Sequence, residues 1–186
     1  AVLELGFLLA GLTGELRAQE KSFLWRVNSD QNRLYILGSI HLLKKETYPL
    51  KKSIEDAFEQ TKKLVLEIDL SSANSQKIQQ LMLQKSISTD GTMLHQSVSD
   101  ETYQAVAKRA KELDIDIRVL SPFKPWVIAM TMAAIKLQQL GFDPSLGVDR
   151  HLAERAKQTD KPTAGLETAE FQLDLFDRFS AKEQEL

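Results

Sequence analysis

Three short stretches of the chain end in side chains able to hold a cation or move a proton. They are Gly38-Ser39-Ile40-His41, the pair Glu67 and Asp69, and Gly165-Leu166-Glu167. Each follows a run of strand character: RLYIL, KLVLEIDL and the segment beginning at Thr163. Ligands of open α/β sheets gather beyond the C-terminal ends of strands, so one imidazole and three carboxylates are expected at a common rim. Glycine permits a tight exit from which His41 can project past the sheet. Alternation along the second stretch places Val65, Glu67 and Asp69 on one face and Leu64, Leu66, Ile68 and Leu70 on the other. Carboxylates buried together without partners are unfavourable, and such a cluster demands a cation, an arginine or protonation. A divalent metal would meet that demand, polarise a carbonyl and lower the pKa of a bound water, leaving a spare glutamate as general base.

An ordinary structural reading of each feature stays open beside the chemical one. His41 can be a loop histidine, and Glu67 with Asp69 the wet face of an edge strand. Glu167 and Asp149 can be acids favoured by the dipole at a helix start. His151 shares a helical face with Arg155 and Gln158 that reads as solvated, and His95 reads as a surface residue before a helix. Lys124 and Trp126 read as a helix entrance and a core anchor.

Composition narrows the chemistry further. The chain has no cysteine, which excludes disulfides, thiolate-held metals and thiol nucleophiles. Any metal must be held by His41, His95, His151 and carboxylates, donors that suit hard or borderline ions. A net charge of −2, with lysines scattered among acids, supplies no basic surface for nucleic acid. No G-x-S-x-G elbow is present for a serine hydrolase. At 186 residues, 42% hydrophobic and 27% charged, the chain is expected to form one globular unit.

The elements that must position these residues follow from periodicity. FLWRV and RLYIL, separated by polar turn residues, read as a β-hairpin. A helix follows Pro49, then the strand KLVLEIDL, a short helix around Ile78, Leu81 and Met82, and a helix capped by Ser99. IRVL (Ile117 to Leu120) reads as a strand. The helix from Pro125 is apolar almost all round but too short for a membrane span, and so is expected in the core. Asp143-Pro144-Ser145 opens another helix through Val148, Leu152 and Ala156. After TAGLE a last helix is expected to turn Phe171, Leu175 and Phe179 inward. The class is α/β: a mixed central sheet with an N-terminal hairpin and flanking helices. Residues 1–20, with apolar Leu5 to Leu12 followed by polar residues and Ala18, resemble the remnant of a signal peptide, so a periplasmic or secreted location without a stable membrane span is expected. So many helices would normally serve more strands, and the domain over 21–186 is expected to lack its C-terminal part.

Taken in order, LYILGSIHL, LVLEIDL, SPFKPWVIA, GVDRHLAERA and KPTAGLETAEFQ resemble the TraB/GumN family over roughly Phe23 to Phe179. The related Tiki proteins look like metal-dependent proteases that trim secreted signalling peptides. The resemblance implies an erythromycin-esterase and ChaN-like fold, a peptide or protein substrate and a divalent metal: manganese, cobalt or zinc. It carries the family's G-x-x-H onto Gly38 to His41, its acidic strand motif onto Glu67 and Asp69, and its helix-start aspartate onto Asp149. Its downstream motif falls on Glu167, with Glu170 and Gln172 beside it. The implied roles are His41, Glu67 and Glu167 as metal ligands, with Glu67 or Glu167 as general base. Gly38, Asp69, Asp149, Glu170 and Gln172 are implied in support. The family's second G-x-x-H has no counterpart after His41. A non-catalytic envelope protein that binds a peptide or assists polysaccharide export is the rival reading.

Overall fold

Alternation in Leu24–Asn28 (β1) and Arg33–Leu37 (β2) forms the expected antiparallel hairpin, with Trp25 opposite Ile36 and Val27 opposite Leu34. These coordinates, a computed structural model, describe residues 23–70 and 72–185, and the expected leader over 1–20 lies outside the described residues. The hairpin's inner face is tied down at Gln60, whose side-chain oxygen accepts from Arg33 Nη1 at 3.0 Å and Tyr35 Oη at 2.8 Å.

Lys52–Gln60 (α1) leads into Leu64–Ile68 (β3), which pairs in parallel with Thr163–Glu167 (β4). Among the described residues the strands form two separate two-stranded sheets, one antiparallel and one parallel, where a single mixed sheet was expected. A Cβ on Gly165 would lie 2.7 Å from the backbone nitrogen of Asp69, so only glycine lets β4 pass this close to the exit of β3.

Between β3 and β4 lie Ser72–Ser86 (α2), Leu94–Ser97 (α3), Asp100–Glu112 (α4), Ile117–Leu120 (α5), Pro125–Gln139 (α6) and Val148–Gln158 (α7). Ala169–Asp177 (α8) and Ala181–Glu185 (α9) follow β4. Ser99 caps α4 as expected, its side chain accepting from Thr102 N at 3.2 Å. α2 runs for 15 residues rather than as a short helix. The expected strand Ile117 to Leu120 is a helical turn instead. Asp114 turns the chain at φ 58°, and Asp116 accepts the Arg118 N–H at 2.9 Å, which nucleates the turn. The helix expected from Asp143 is broken: Pro144–Leu146 is a 3-10 turn, and α7 starts only after Gly147.

Apolar residues collect in three clusters. The one beneath the site joins Leu43, Leu50 and Phe58 to Val148, Leu152 and Ala156, with Leu37 and Leu64 packed against it. The Phe58 ring centroid lies 4.7 Å from the Arg155 guanidinium and 4.0 Å from the Lys161 ammonium, and Lys161 also donates to Thr61 O at 2.6 Å. A second cluster centres on Leu94 and Ile128, and a third on Trp126, Val127 and Leu173. The apolar helix α6 thus serves as a core helix, as its composition predicts. Trp126 is its anchor, stacked on Phe176 at 5.3 Å, with Nε1 donating to Asp177 Oδ1 at 3.2 Å. Lys124 at its entrance donates to the same oxygen at 2.9 Å. On α8 the inward residues are Ala169 and Leu173, whereas Phe171 and Leu175, and Phe179 just past its end, are exposed, the reverse of the expected stripe. No helix among the described residues is long and apolar enough to cross a membrane.

Candidate functional site

Backbone hydrogen bonds close the hairpin and fasten the exit of β2 to the start of α7. Gly38 N donates to Phe23 O at 2.8 Å and closes the hairpin. Val148, the first residue of α7, donates to Ile40 O at 2.9 Å, and Asp143 donates to Leu43 O at 2.9 Å. Gly147 sits where the segments touch. A Cβ there would lie 2.4 Å from the His41 carbonyl oxygen and 2.9 Å from Asp149 Oδ1, closer than packed atoms allow. With no side chain in the way, His41 Nδ1 comes within 3.2 Å of Asp149 Oδ2. The imidazole is 59% exposed and the carboxylate 21%, so Asp149 supports from behind while the ring faces outward. Asp149 Oδ1 is buried and has no hydrogen-bond partner among the described residues. The N-terminus of α7 beside it favours the negative charge.

A second layer of polar residues lies next to this pair. Tyr48 donates its hydroxyl to Leu146 O at 2.6 Å and thereby braces the turn that precedes Gly147. Burial raises the Tyr48 phenol above its ordinary range, and the negative charge of Asp149 raises it further. The Tyr48 ring lies 4.9 Å from His151, which is half-buried rather than solvated as expected. Burial pushes His151 below the ordinary histidine value, and its Nε2 is 3.6 Å from Glu55 Oε1. Arg155 pairs with Glu55 and donates to Glu59 Oε1 at 2.9 Å. A shallow pocket of about 380 Å³ opens here, lined by Tyr48, Ser145, Leu146, Arg150, His151 and Glu154. Sequence reasoning missed Tyr48, Glu55 and Arg155 as neighbours of the site. The available signal was the apolar stripe of α1, whose return face has to carry Glu55 toward α7.

The other expected site residues sit at the parallel pair. Ile68 is in register with Glu167, so alternation puts Glu167 on the face of Leu64 and Leu66 and puts Glu67 on the opposite face with Val65. Asp69 Oδ2 accepts from Asn74 Nδ2 at 2.9 Å. Glu167 Oε2 accepts from Gln172 Nε2 at 3.2 Å. Thr168 caps α8 by accepting from Phe171 N at 3.1 Å, which leaves Glu167 just outside the helix and Glu170 in its first turn. His95 is exposed, as expected, with its ring edge toward Tyr103 at 6.2 Å.

The structure therefore brings His41 to Asp149 and Glu167 to Gln172, and it gathers no three His, Asp or Glu side chains into an ion's donor set among the described residues. An imidazole held at one nitrogen by a carboxylate fits a single position in a metal shell, because the carboxylate fixes the tautomer and aims the other nitrogen outward. The carboxylates of β3 and β4 do not complete that shell within the described residues.

The comparisons agree on ancestry. Residues 23–186 match the TraB/PrgY/gumN family. YbaP of Escherichia coli (strain K12) is 27% identical over 139 residues, covering 75% of this chain and 50% of its own, and YbaP of Shigella flexneri matches equally. A Treponema pallidum (strain Nichols) protein is 21% identical over 182 residues, covering 95% of this chain and 53% of its own. The chain thus spans about half the length of these curated relatives. No solved structure matches it. With G-x-x-H at the hairpin exit, the acidic β3 and the helix-start aspartate all inside the matched span, the chain is a member of the TraB/PrgY/gumN family.

Proposed function

We propose that the whole protein is a metal-dependent hydrolase that cleaves peptides, with an erythromycin-esterase and ChaN-like fold and a periplasmic or secreted location. The observation that supports this reading is the His41–Asp149 pair at 3.2 Å, an outward imidazole oriented by a partly buried carboxylate. His41 would hold the ion, with Asp149 behind it; Glu67 and Glu167, on opposite faces of the parallel pair, would divide the remaining work, one as a further donor and the other as general base, supported by Gly38, Asp69, Glu170 and Gln172. A bound manganese, cobalt or zinc ion would polarise the peptide carbonyl and acidify a water. What the chain itself contributes is orientation: Asp149 holds one ring nitrogen of His41, Gly147 allows the approach, and Tyr48 braces the turn beneath.

The test is a titration of the whole protein with each of the three ions, read by calorimetry and thermal melting, followed by peptide cleavage assays. Binding that raises the melting temperature and disappears in His41→Ala, together with cleavage abolished by chelation, is the expected result. Peptide binding that ignores metal, or cleavage unchanged in His41→Ala, would show a binding module or a different mechanism.

A further inference from the structure

Among the described residues, each of the two sheets leaves one side exposed. On the hairpin, Trp25, Val27, Leu34 and Ile36 share the face opposite Tyr35 and Leu37, and they are 53%, 50%, 56% and 49% exposed. On the parallel pair, Leu66 is buried on one face, while Val65 and Leu166 on the other stand 47% and 76% exposed. Parallel strands are almost always covered on both faces, and an isolated two-stranded sheet is marginal in water. Large apolar patches on a folded surface mark places where something docks.

We infer that these faces together receive a second layer of structure, supplied by the part of the full-length protein that lies outside this chain. The occupant is indicated by length, since each curated relative is about twice as long as the segment it shares with this chain. Its chemistry is set by the surface: an apolar layer to cover Trp25, Val27, Leu34 and Ile36 and to close over Val65 and Leu166. Glu67 shares the face of Val65, so the layer also brings a cation or hydrogen-bond donor to its carboxylate, because an unpaired buried charge is costly. Glu67 is also one of the residues assigned to the proposed ion site, and an ion there would be such a cation; the apolar cover itself follows from exposure and stands whether or not His41 holds a metal.

Iodide quenching of Trp25 tests the assignment, its signal isolated by difference against Trp25→Phe, with buried Trp126 as the internal reference. In the folded full-length protein Trp25 is expected to quench several-fold less than in the same protein unfolded in urea, and about as little as Trp126. Leu166→Lys, at a side chain that is 76% exposed among the described residues, is expected to lower the melting temperature of the full-length protein. Two results would overturn the assignment: a Trp25 that quenches as readily in the folded full-length protein as in urea, or shielding that is lost on dilution to the monomer, which would make a second copy the cover.

Discussion

Asp149 Oδ2 lies 3.2 Å from His41 Nδ1, and the helix that carries Asp149 in its first turn is bonded through Val148 to the carbonyl immediately before His41. The carboxylate and the imidazole are thus fixed twice, through side chains and through backbone. Removing such an orienting carboxylate commonly lowers metal affinity or activity about 10- to 100-fold. Asp149→Ala should show a loss of that order in metal titrations of the whole protein while its melting temperature changes little. Undiminished affinity would mean that His41 needs no support.

Gly147 is the second requirement. Because a Cβ there would stand 2.4 Å from the His41 carbonyl oxygen, a backbone atom that cannot rotate aside, Gly147→Ala forces the hairpin exit away from α7. Overpacking of this kind typically costs about 1–3 kcal/mol, which urea denaturation would record as a lower midpoint. The same variant should weaken the His41–Asp149 contact, visible as a changed imidazole resonance.

His151 predicts an acid-side loss of stability. Its folded value lies below the ordinary 6.5 because burial disfavours the charged ring, so between the two values the unfolded chain binds more protons than the folded one. Stability from this residue is complete above 6.5 and declines as pH falls toward the folded value. Tyr48, Glu55 and Arg155 face the ring, and Arg155 already engages Glu55, which limits the rescue that carboxylate can give. Unfolding measured across mildly acidic pH should show this decline in the parent and a flatter profile in His151→Gln. Identical slopes in the two proteins would assign the decline to other groups.

Local signals in the sequence read well where short-range physics decides the structure. The hairpin, the Ser99 cap and the core placement of α6 follow from alternation, side-chain capping and composition. Ile117 to Leu120 misleads because β-branched residues favour a strand only when a neighbouring strand is available to pair with. Here Asp116 captures the local N–H first. On α8 two apolar stripes compete, and the choice falls to residues far away in sequence: Trp126, Leu81 and Met82 lie under Leu173 and Phe176. His151 reads as solvated for the same reason: Tyr48, which packs on it, comes from a distant part of the sequence. In the candidate site, the hairpin histidine and the α7 aspartate were both legible, but their contact depends on an absent side chain at Gly147. The opposite facing of Glu67 and Glu167 is set by pairing register, which neither strand reveals alone.

The Tyr48 hydroxyl bond to Leu146 closes a loop of 98 residues. Almost the whole middle of the polypeptide lies between the two partners, so native tyrosine–carbonyl pairing is a contact of very high order, formed only after long-range closure. The His41–Asp149 contact joins the same two distant segments, so the imidazole and its carboxylate meet only once that closure is made.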